Sequence, residues 1–63
     1  MWTEVYFSQN RDKVKRLVDI LSDARIISRV RGRVDGEERS YTVLVPRAEL
    51  YEAQNIIVES DIF

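Results

Sequence analysis

From Trp2 to Phe7 aromatic and β-branched residues predominate, and the side chains alternate Trp2, Glu4, Tyr6 against Thr3, Val5, Phe7. A period of two is what a strand imposes, so the chain opens on a first strand. Ser8 and Asn10 follow as cap-type residues, and Val14, Leu17, Val18 and Leu21 then recur at i, i+3, i+4 and i+7. That spacing predicts an amphipathic helix, capped by Ser8 or Asn10 and ending near Asp23 or Ala24. Its opposite side carries Lys13, Lys15, Arg16 and Asp19.

The period returns to two from Ile26 to Val34, a second strand with Ile26, Ser28, Val30, Gly32 and Val34 on one side and Ile27, Arg29, Arg31 and Arg33 on the other. Asp35-Gly36 is a hairpin signal, because type I′ turns take residues that tolerate positive φ. A third strand, Arg39 to Val45, follows. With Asp35 and Gly36 as the loop, Val34 faces Glu37, Val30 faces Tyr41, Ser28 faces Val43 and Ile26 faces Val45. The polar side then pairs Arg33 with Glu38, Arg31 with Ser40, Arg29 with Thr42 and Ile27 with Leu44. A four-residue loop shifts these partners but keeps the faces; a one-residue slip mixes arginines into the core. Pro46 cannot extend a ladder and suits a helix start. Leu50, Ala53, Ile56 and Ile57 then form a second apolar stripe, a helix running to about Glu59, followed by a short tail ending Ile62-Phe63.

The order β-α-β-β-α makes residues 1–63 one domain. A right-handed crossover from the first strand places it beside the third, with the expectation of parallel pairing there, and the strand order is first, third, second. Two apolar helical stripes are buried most simply on one sheet face, the one showing Val5, Phe7, Ile26, Val30, Tyr41, Val43 and Val45. The other face is expected to lie bare. It displays Trp2, Glu4 and Tyr6 from the first strand, Thr42 and Leu44 from the third, and Ile27, Arg29, Arg31 and Arg33 from the second. Aromatics, aliphatics and arginines together are the composition of a contact surface. The candidate protein-binding residues are therefore Trp2, Tyr6, Ile27, Arg29, Arg31, Arg33 and Leu44. The first strand also offers an unpaired edge.

Charge sharpens this picture. Lys+Arg 10 against Asp+Glu 11 leaves a net charge of -1, so no global field draws the chain to nucleic acid or anionic membrane. The distribution is uneven: residues 25–47 hold six arginines and three acids, whereas residues 48–63 hold Glu49, Glu52, Glu59 and Asp61 and no base. Arginines two apart on a strand point the same way, which fits either an acidic partner surface, including a second copy of the chain, or the phosphates of a single-stranded nucleic acid with Trp2 and Tyr6 as stacking platforms. The third strand lacks the aromatic-rich pattern of RNA-binding sheets, so protein contact is the first expectation and nucleic acid the alternative.

Cys 0 and His 0 exclude disulfides, thiolate and imidazole metal ligands, and Cys or Ser-His nucleophilic machinery. Asp35, Glu37 and Glu38 cluster at a tight turn without the ligand spacing of a calcium loop, and Gly32 and Gly36 form no phosphate-binding loop. The expectation is a non-enzymatic domain without metal or cofactor. The N-terminus has no basic segment followed by an apolar one, and no unbroken apolar run exceeds three residues, which predicts a cytoplasmic protein that is not membrane-bound.

The run Val5-Tyr6, the helix ending in Leu21, the turn into Ile26, the stretch Tyr41 to Val45-Pro46 and Ala53 in the last helix resemble, over nearly the whole chain, a family of short bacterial domains of unknown function. That family is described as signal-transducing and is distantly similar in fold to the PII regulators. The resemblance implies an α+β, two-layer ferredoxin-like sandwich with a three-stranded sheet and both helices on one face, and a regulatory or adaptor role. The long nucleotide-binding loop of the PII regulators has no counterpart here, so neither ATP nor 2-oxoglutarate binding is implied. The resemblance assigns no functional residue.

Overall fold

The computed structural model describes residues 1–62; Phe63, the end of the expected tail, lies outside the described residues. The elements are β1 (Trp2–Ser8), α1 (Arg11–Asp23), β2 (Arg29–Asp35), β3 (Glu38–Pro46), a 3₁₀ turn (Arg47–Glu49) and α2 (Leu50–Ser60). The sheet order is β1-β3-β2, and both α1 and α2 pack on β1 and β3 from one side and touch each other. The result is the α+β, two-layer ferredoxin-like arrangement, only 15 Å through its thinnest dimension.

Pairing of β1 with β3 is antiparallel, not parallel as the crossover argument anticipates. The crossover makes β1 parallel to β2, its destination; the hairpin then reverses the chain, so β3 runs against both neighbours. The hairpin register also moves. Asp35 pairs with Glu38, Val34 with Arg39, Val30 with Val43 and Arg29 with Leu44, so the loop is Gly36-Glu37 rather than Asp35-Gly36. Gly36 has φ +65° and Glu37 is not left-handed, the signature of a type II′ turn with Gly first. Both registers pair even-numbered residues with odd-numbered ones, so the faces survive the shift.

Asn10 caps α1: its side-chain oxygen accepts from the backbone N–H groups of Asp12 (2.9 Å) and Lys13 (3.2 Å), while the Ser8 hydroxyl accepts from Asn10 N–H at 3.0 Å. Of the two expected caps Asn10 is therefore the N-cap, and Ser8 holds Asn10 in place from outside the helix. At the other end the N–H of Arg25 donates to Ser22 O and that of Ile26 to Leu21 O, each at 2.9 Å. This is a Schellman closure with Arg25 at φ 63° in the position usually taken by glycine. The core between helices and sheet joins Val14, Leu17 and Leu21 to Ile26, Val43, Val45, Ala53, Ile57 and Ile62. Among the described residues it buries no polar or charged side chain, so hydrophobic transfer dominates its energetics.

Candidate contact surface

The helix-free face is built by side-chain parity, and one β-bulge decides its membership. Register with β3 runs Thr3–Val45 and Glu4–Leu44, then skips Val5 and resumes Tyr6–Val43 and Phe7–Thr42. The extra residue inverts the alternation downstream. Trp2 and Glu4 stay on the helix-free face as expected. Tyr6 turns instead to the helix side, packs on the core and donates its hydroxyl to Ile62 O at 3.1 Å. Phe7, expected in the core, takes its place outside, 62% exposed.

From β2 come Arg29, Arg31 and Arg33, each exposed. They share the face with Glu38, Ser40, Thr42 and Leu44 of β3, set opposite or beside them by the hairpin register. Leu44 lies on this face but is buried, at 6% exposure, although no helix covers it. The Arg29 guanidinium lies over the Trp2 ring, 4.2 Å from its centroid. Arg31 Nη1 meets Glu4 Oε1 at 3.6 Å. Each pair joins the two outer strands diagonally across β3, the first between the levels of Leu44 and Pro46 and the second between those of Thr42 and Leu44. Long side chains thus shield what backbone layering leaves open. The Arg31–Glu4 pair is well exposed on both sides and is worth at most about 1 kcal/mol; a partly shielded cation–π contact is of the same order.

Towards the hairpin the face dips into a hollow of about 400 Å³ whose walls include Phe7, Arg31, Arg33, Arg39, Glu4, Asp35 and Glu38. Its three arginines and three carboxylates balance. Ile27 is absent from this assembly: it precedes β2, is 71% exposed, and lines a hollow against α1 with Val18, Ser22 and Arg25. The structure therefore groups Trp2, Arg29, Arg31 and Arg33, places Leu44 beneath them, and sets Tyr6 and Ile27 elsewhere. Sequence reading missed Phe7 because a bulge leaves no mark in an alternating pattern.

No helix among the described residues is long and apolar enough to cross a membrane. No known family model matches the chain, and no curated protein or solved structure gives a significant match.

Proposed function

We propose that this chain is a small regulatory or adaptor domain, not an enzyme, that works by protein contact through its helix-free sheet face, and that a second copy is the partner. The observation that carries it is the tethering of Arg29 to Trp2 and of Arg31 to Glu4. Arginines already held in place lose less freedom on binding than free ones.

The face is also self-complementary in charge. A twofold axis along β3 lays β1 of one copy over β2 of the other, setting Glu4 against the second copy's Arg29 and Arg31, with Phe7 and Thr42 between. Single-stranded nucleic acid is the weaker reading, since Arg29 occupies one side of the Trp2 ring and carboxylates match arginines around the hollow. Phosphates meet as much repulsion there as attraction.

Amide spectra of labelled protein across a concentration series, paired with sedimentation, test the proposal. Concentration-dependent shifts at Trp2, Phe7, Arg29, Arg31 and Arg33, abolished by R29E/R31E with the fold intact, are expected. Shifts that appear only with a short single-stranded RNA and fade between about 50 and 200 mM salt would transfer the face to nucleic acid. Unchanged association in R29E/R31E would remove the face from the contact.

A further inference from the structure

A second surface, on the helix side of the sheet, involves none of the face residues above. Between α1 and the outer edge of the sheet runs a groove of about 250 Å³ formed by Arg11, Val14, Lys15, Val18, Val30 and Tyr41. Its floor is apolar and its only charged members are two cations. Past Val18 it continues into the hollow that holds Arg25 and Ile27, where again no carboxylate contributes. Apolar side chains along this edge remain in solvent: Val30 is 47% exposed, Val34 67% and Ile27 71%. The helices cover β1 and β3 but leave β2 largely uncovered, so these side chains keep about half or more of their surface in water.

The complementary shape lies on α2. Opposite its buried stripe of Ala53 and Ile57, Tyr51 and Val58 stand seven residues apart on the outer side of the helix, 80% and 65% exposed. Glu52 and Glu59 flank them, both exposed, and residues 48–63 contain no base. Groove residues Arg11 and Val18 are also seven apart on α1. Seven residues rise about 10.5 Å in either helix, so the stripe and the groove have the same length. One element is apolar with acidic flanks and the other apolar with a basic rim.

We infer that the α1–β2 groove is a docking site for an acidic amphipathic helix, and that its occupant is α2 of a second copy. Tyr51 and Val58 fill the floor over Val14, Val18 and Val30, and Glu52 and Glu59 meet Arg11 and Lys15. This is the helix-in-groove mode of recognition. Groove and helix are different surfaces, so the contact is heterologous: in a pair, one copy keeps an unfilled groove and the other an undocked helix. Like surfaces do not pair: groove against groove opposes cations, and α2 against α2 opposes carboxylates.

The test uses two charge-swapped full-length variants, R11E/K15E and E52K/E59K, all at exposed positions. Wild-type protein should show concentration-dependent amide shifts at Val18, Val30, Tyr51 and Val58. Each variant alone should lose these shifts, with association at this surface weakened by about tenfold or more, as for the loss of close interfacial charge pairs. Labelled E52K/E59K should regain shifts at Val18, Val30 and Tyr41 when unlabelled R11E/K15E is added. The neutral pair R11Q/K15Q, which should weaken association without reversing it, covers the case in which a swap disturbs the helix. Absence of wild-type shifts at these four residues up to millimolar concentration overturns the inference. So does a mixture that fails to restore them. Either result leaves the sheet-face contact standing, because its reporters are Trp2, Phe7, Arg29, Arg31 and Arg33.

Discussion

Arg25 shows how a single residue registers a conflict between local and global demands. The Schellman closure of α1 needs a left-handed residue after Ala24, and the chain supplies an arginine at φ 63°. An L-residue with a Cβ costs roughly 1–2 kcal/mol there relative to glycine. The arginine returns part of this by placing a cation at the negative end of a helix whose last turn has no base. Arg25→Gly is therefore expected to raise stability by about 0.5–1 kcal/mol, read as a higher urea midpoint at unchanged slope. A lower midpoint would mean that the Arg25 side chain contributes more than its helix-end charge.

At the scale of elements, what the sequence made legible was periodicity, and what it hid was register. The stripe Val14, Leu17, Val18, Leu21 locates α1 because burial on one side forces that spacing. The hairpin sets β2 beside β3, but that β1 lies beside β3 rather than β2 is decided by tertiary packing and not by crossover handedness. Tyr6 and Phe7 are misplaced because the bulge at Val5 is set by tertiary pairing with β3, not by any residue preference. The hairpin loop is displaced by one residue because both Asp35-Gly36 and Gly36-Glu37 satisfy the turn chemistry at Gly36, and parity cannot separate them. The two glycines of this hairpin make the distinction measurable. No atom lies within 4 Å of a Cβ built on either, but only Gly36 has positive φ. Gly36→Ala should destabilise by about 1 kcal/mol through backbone strain. Gly32→Ala, in a strand that accepts it, should stabilise by about 0.4–1 kcal/mol through the unfolded state. Equal effects would place the turn elsewhere.

At the scale of the whole molecule, 63 residues enclose a core with no disulfide to reinforce it, and domains of this size sit near the lower limit of independent stability. Meanwhile Phe7, Val34, Tyr51 and Val58 keep more than half of their surface in water. Both proposed contacts cover such residues, so association and folding should be linked. A partner that binds only the folded chain adds about 2.7 kcal/mol when its free concentration is one hundred times the dissociation constant. For a domain of this size each kcal/mol moves the thermal midpoint by about 4–8 °C. The melting midpoint is thus expected to climb by about 10–20 °C from the dilute limit to that concentration. The variants divide this rise between the surfaces: R29E/R31E removes the part due to the sheet face, E52K/E59K the part due to the groove. All four substitutions lie at exposed positions, so the dilute-limit midpoint itself should shift by only a few degrees. A midpoint independent of concentration in the wild type would show that neither surface is used by a second copy.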